Sequence, residues 1–122
     1  MKKIDTQAAA AFKDGKPFSG GNTIVAVEND TVTMRLHGHI IASMCRKDNT
    51  LALTLAGYNT MTTRARLNGI LYALPTAGYA VRYVQQNYSA VLFEGDKRHE
   101  ISADSWQHFT REKTIAPWIY KD

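Results

Sequence analysis

The chain is poor in cysteine and proline and has no long apolar run, and each shortage removes a class of protein. A single cysteine, Cys45, excludes an internal disulfide framework and any zinc site built on several thiolates. The three prolines (Pro17, Pro75 and Pro117) are widely spaced, and no low-complexity tract or repeat divides the chain. Apolar runs stop at about four or five residues, too short for a membrane-spanning helix. Lys2 and Lys3 run straight into Asp5 and Gln7 with no apolar stretch behind them, so no secretory leader is expected. Strong charge is missing too. Fifteen basic against 11 acidic residues give +4, far below a histone-like excess. These shortages predict a cytoplasmic protein with a reduced thiol.

The 122 residues, 44% hydrophobic, suffice for one core. One α+β domain, 1–122, is expected, in the order α-β-β-β-β-α-β-β-β-α, with an antiparallel sheet of hairpin-linked strands. Asp5 is the expected N-cap of a first helix over Thr6 to Lys13, closed by Gly15. Lys16 to Asn22 reads as a loop. Four strands follow, over 23–28, 31–37, 39–45 and 50–56; Val32, Met34 and Leu36 alternate with Thr31, Thr33, Arg35 and His37. A second helix over Met61 to Leu74 carries Leu67, Ile70, Leu71 and Leu74 as one buried stripe. After a loop at Thr76-Ala77-Gly78, strands are expected over 79–85, 88–94 and 97–101. A last short helix, capped by Ser102 or Asp104, would reach Thr110.

Catalytic signatures are scarce. His37-Gly38-His39 places two imidazoles on alternate residues, with Cys45, His99 and His108 as the remaining soft ligands, but no zinc spacing appears. Ser19 stands in no nucleophile elbow. Cys45 closes an apolar segment, and Arg46-Lys47 beside it leave a reactive thiol as the lesser reading. Glu28, Glu94 and Glu100 read as solvated strand-end charges, and Gly20-Gly21-Asn22 precedes a strand, so it lacks the geometry of a phosphate loop. No enzyme, cofactor or metal is expected.

A helix start loaded with hydroxyls is the central feature: Thr60, Thr62 and Thr63, then Arg64 and Arg66. Basic residues oppose the helix dipole at that end, so the pattern points to amides, hydroxyls and guanidinia meeting an anion. Between Thr31 and Phe93 six basic residues face the single acid Asp48, a local +5, whereas the rest of the chain nets −1. Arg35 and Arg82, each at the polar position of an alternating strand, are expected on one sheet face. The candidate partner- or anion-binding set is therefore Arg35, Tyr58, Asn59, Thr62, Thr63, Arg64, Arg66 and Arg82.

Asn22-Thr23-Ile24-Val25, Leu36-His37-Gly38-His39-Ile40-Ile41-Ala42, and Leu55-Ala56-Gly57-Tyr58-Asn59-Thr60-Met61-Thr62-Thr63-Arg64-Ala65-Arg66-Leu67-Asn68 occur in that order. The succession resembles a family of small, mostly uncharacterised proteins of tailed bacteriophages. Their pattern is N-T-x-V, L-H/F-G-N-x-I-A and A-G-W/Y-x-T-x-T-T-R/K-x-R-L-N. It covers about residues 12 to 74; His39 stands where asparagine is commoner and Tyr58 where tryptophan often stands. The resemblance implies a phage-encoded accessory protein acting in the host cytoplasm, and it transfers no catalytic role.

Three function classes follow. The chain binds a host protein or nucleoprotein complex and inhibits or redirects it, as in host takeover or anti-defence. Alternatively the arginine patch binds nucleic acid or a nucleotide. As a third reading, it is a minor virion structural protein. Arg64→Glu with Arg66→Glu is expected to abolish partner capture with the fold intact. Trp118 and Tyr120 near the chain end suggest a homo-oligomer.

Overall fold

Helix α1 (Lys3–Asp14) begins earlier than expected. Asp5 is not the N-cap. It sits at the third helical position, and its carboxylate accepts the Lys2 amide at 3.2 Å, so Lys3 and Ile4 already belong to the helix. Ala8, Ala9 and Phe12 form the buried face, and Gly15 closes the far end as expected. The computed structural model describes residues 2–76 and 81–121.

The expected loop at 16–22 holds a short strand, β1 (Phe18–Gly20), paired antiparallel with β2 (Thr23–Glu28). Asn29, at φ 55°, turns the chain into β3 (Thr31–Leu36), whose Val32, Met34 and Leu36 point inward. His37 leaves the strand instead of ending it. His37 and Gly38 both carry positive φ (51° and 82°), as a two-residue type I′ hairpin requires. In β4 (His39–Cys45) the register against β3 shifts at Met34/Arg35, so Ile41 has no ladder partner and turns into the core. Next come β5 (Thr50–Thr54) and α2 (Met61–Ala73), whose Leu67, Ile70 and Leu71 are buried, as is Leu74 just beyond it.

Three further strands match expectation within a residue or two where they are described: β6 (Val81–Gln86), β7 (Ser89–Glu94) and β8 (Lys97–Ile101). The expected start at Tyr79 and the Ala77-Gly78 part of the loop lie outside the described residues. The expected last helix is a strand, β9 (Trp106–Thr110). Ser102 and Asp104 close a tight turn, with the Ser105 amide on the Ser102 carbonyl at 3.1 Å. After that turn, buried Gln107 and Phe109 alternate with exposed Trp106 and His108, which is a strand period. A tenth strand, β10 (Ile119–Lys121), follows.

The α+β class holds, with two helices and ten strands among the described residues, but the strands form two antiparallel sheets. One is ordered β1-β2-β3-β4-β5-β9-β10, the other β6-β7-β8. Everything from α2 to β8 is thus inserted between neighbours β5 and β9, and it folds back over one face of the large sheet. Helix α1 lies against β1, β2 and β3, and α2 against α1, β4 and β6. The shared core joins Met34, Leu53 and Phe109 of the large sheet, Leu67 and Ile70 of α2, and Tyr83 and Leu92 of the small sheet. Arg35 lies on the outer face of the large sheet and Arg82 on that of the small one, where its guanidinium stands 4.6 Å from the Phe93 ring. They do not share a face, because each sheet turns its inner side to the helices.

Trp118 is 1% exposed, and its amide bonds the Pro75 carbonyl at 2.9 Å. Its ring packs under the Arg111 guanidinium, 4.4 Å from the guanidinium carbon. Tyr83, in the middle of the core, donates its hydroxyl to Gln107 Oε1 at 2.8 Å. Burial, and secondarily the nearby Tyr120, push its pKa well above the ordinary 10.0. The unfolded chain therefore loses this proton before the folded one does. The stabilisation from a neutral Tyr83 is complete below pH 10.0 and disappears as pH climbs toward the raised value. Urea denaturation at rising alkaline pH should show stability falling above that point, and Tyr83→Phe should flatten the fall.

Candidate functional site

The start of α2 is built by the loop that leaves β5. Leu55 is buried and anchors it; Ala56 and Gly57 take positive φ (55° and 84°), and the Gly57 amide bonds the Ala103 carbonyl at 2.8 Å. Thr60 is the N-cap: its hydroxyl accepts the Thr63 amide at 3.1 Å and contacts the Thr63 hydroxyl at 2.9 Å. The Arg64 amide bonds the Thr60 carbonyl at 3.0 Å. Of the four amides that open a helix, those of Met61 and Thr62 are left without a protein partner among the described residues.

The β3–β4 hairpin reaches the same place. His39 and Tyr58 lie with ring centroids 5.0 Å apart, and the Tyr58 hydroxyl is 3.4 Å from His39 Nε2. Between hairpin and helix start is a cleft of about 340 Å³. Leu36, Ile41 and Leu55 form its apolar floor; His37, His39, Tyr58, Thr60, Thr62 and Thr63 supply its polar wall, and no carboxylate lines it. Donors at the positive end of a helix, with no acid among them, suit a ligand group that accepts hydrogen bonds or carries negative charge.

Tyr58, Thr62 and Thr63 of the expected set therefore come together here, but the arginines disperse. Arg64 Nη1 is held by the Asn59 carbonyl (3.0 Å), Asn59 Oδ1 (2.7 Å) and Gln85 Oε1 (3.1 Å), so Asn59 serves to pin Arg64 across to β6. Arg66 is buried and forms an ion pair with Asp5, while its Nε donates to Thr23 Oγ1 at 2.9 Å. Arg35 and Arg82 remain on their separate sheets. The spacing carried this signal, since residues two apart on a helix face different ways. Asp5, His37 and His39 were missed as members of these clusters. An acid near the start of an alanine-rich helix was the available sign of the first, and the His-Gly-His hairpin of the other two.

Among the described residues no three His, Cys, Asp or Glu side chains gather as metal ligands. His39 and Cys45 stand at opposite ends of β4, Cys45 meets the Asp48 carboxylate at 3.4 Å, and His99 meets Glu94 at 3.2 Å. No helix among the described residues is long and apolar enough to cross a membrane.

A family model described as Kyanoviridae Gp96 protein matches residues 1–116. No curated protein and no solved structure matches the chain.

The buried pair also corrects the expectation for the Arg64→Glu, Arg66→Glu variant, which cannot leave the fold intact: it sets a second carboxylate against Asp5 inside the protein. Removing either partner alone leaves an uncompensated buried charge. Arg66→Ala or Asp5→Ala should cost about 3–5 kcal/mol in urea denaturation, and the replacement Asp5→Leu with Arg66→Met much less than either.

Proposed function

The chain belongs to the Kyanoviridae Gp96 protein family, a bacteriophage family, and on that premise we propose that it is a non-enzymatic accessory protein. It binds a host protein complex through the α2 cleft and inhibits or redirects it in the host cytoplasm. The observation that carries the reading is the rim of the cleft. Tyr58 is 50% exposed beside a floor closed by buried Leu36, Ile41 and Leu55. A large amphipathic ring left in water next to a preformed recess is the usual anatomy of a protein-binding hot spot. Tyr58 is also preorganised by His39, so little side-chain freedom is lost on docking.

The dispersal of the arginines speaks against a nucleic-acid groove of the kind the charge count suggested. A phosphate backbone needs cations in a continuous track, yet Arg66 is buried, Arg64 is tied to Asn59 and Gln85, and Arg35 and Arg82 lie on different sheets. Affinity capture from infected-host lysate, with and without nuclease, tests the reading. Capture by the wild-type chain should survive nuclease, and Tyr58→Ser with Thr62→Glu should reduce it about tenfold or more while the thermal unfolding curve stays close to wild type. Equal capture by that variant, or loss of all capture after nuclease, would refute it.

A further inference from the structure

At the opposite end of α2, about 20 Å from the cleft by helix rise, three cations meet around a second recess. Lys13 comes from the last turn of α1, Arg46 from the turn after β4, and Arg111 from the segment after β9. The recess measures about 350 Å³. Its floor is core, with buried Met44 and Leu74.

Arg111 is held in place before any ligand arrives. Its Nε donates to Asn49 Oδ1 at 2.8 Å, and its guanidinium carbon lies 4.4 Å from the centre of the buried Trp118 ring. Those contacts fix the guanidinium plane and leave its two terminal nitrogens without a partner among the described residues. Arg46 donates to the backbone carbonyl of Asp14 at 3.4 Å, not to a carboxylate. Among the described residues no acid pairs with Arg46 or Arg111; Asp14 is the single carboxylate in the lining. Burial first, and the charge of Arg46 second, pull the Arg111 pKa below its ordinary value, so the two guanidinia act on each other as like charges. Folding has put them together with no ion pair to either among the described residues, as their contacts to the Asp14 carbonyl, Asn49 and Trp118 show. The C-terminal ends of two helices lie here too, each worth about half a negative charge, and three full cations against one carboxylate outweigh them.

We propose that this recess binds a small phosphomonoester, its phosphoryl group held between Arg46 and Arg111 with Lys13 completing the charge. The remaining positive excess attracts a phosphoryl group, and its oxygens suit guanidinium forks. The volume lies at the lower end of small-molecule sites, which fits a ligand of mononucleotide size rather than a polymer. Leu74, Pro75 and the 83% exposed Ile115 offer the apolar wall on which an organic portion would rest.

Calorimetric titration of the full chain with inorganic phosphate, adenosine 5′-monophosphate and adenosine tests the assignment. The monophosphate should bind and adenosine should not. Tighter binding of the monophosphate than of inorganic phosphate places the organic portion in the recess, whereas equal affinities identify the ligand as free phosphate. Arg111→Gln and, separately, the more exposed Arg46→Gln should each weaken binding about tenfold or more. Circular dichroism checks that both variants fold, and Arg46→Gln carries the test if the loss of the Trp118 contact unfolds the other. Tyr58→Ser should bind the monophosphate normally, which separates this site from the cleft. Absence of binding by either phosphate at millimolar concentration would overturn the proposal and leave the cations as helix C-terminal caps. Unchanged affinity in a folded Arg46→Gln protein would overturn it as well.

Discussion

The Asp5–Arg66 ion pair is the constraint around which the rest of the molecule is arranged. It joins the first turn of α1 to the middle of α2, and through Thr23 it reaches the start of β2. Both carboxylate oxygens are engaged, one by Arg66 and the other by the Lys2 amide, so the charge is compensated where water cannot reach it. The pair also demands that the helices come very close. Gly69, one turn beyond Arg66, meets the α1 backbone at Asp5, where a Cβ would lie 2.9 Å from the Asp5 carbonyl oxygen. A glycine in a helix interior costs about 1 kcal/mol relative to alanine, and here it allows the approach that the pair requires. An apolar contact would tolerate sliding of one helix along the other, but an ion pair with two further hydrogen bonds does not.

Holding α2 in that register sets up both of its ends. Its start, capped by Thr60, meets the β3–β4 hairpin and forms a cleft with hydroxyls, imidazoles and free amides. Its finish lies beside the end of α1, where Lys13, Arg46 and Arg111 surround a recess. The chemistry of the first is hydrogen bonding around an exposed tyrosine, and that of the second is concentrated positive charge. The arginine that the helix start contributes to the fold is therefore withdrawn from the surface, and the surface cations gather elsewhere. This member of a bacteriophage protein family thus carries two chemically different recesses on one small scaffold.

Much of this was legible one element at a time. β2, β4 and β8 fall on the expected residues because period-two alternation and turn residues are local signals. The stripe in α2 was equally plain. Misreadings came where two local signals competed. Ser102 and Asp104 look like helix caps, but the alternation after them is that of a strand, and a free edge at β5 gave it a partner. Asp5 looked like an N-cap because an acid at the third helical position offers the same chemistry from a different place. The arginines of the helix-start motif do not lie together, since charge counted along a chain carries no direction.

What the sequence by itself determined is the α+β class, the positions of most strands and both major helices, and the helix start that Thr60 caps. Those properties rest on residues within a few positions of each other. Only the tertiary structure decided that Arg66 pairs with Asp5, 61 positions away, that β9 returns beside β5 across the whole α2–β8 insertion, and that Arg46 meets Arg111. Such contacts depend on how the closed chain folds back on itself. No local periodicity encodes that, because a side chain's partner is set by the packing of whole elements against a common core.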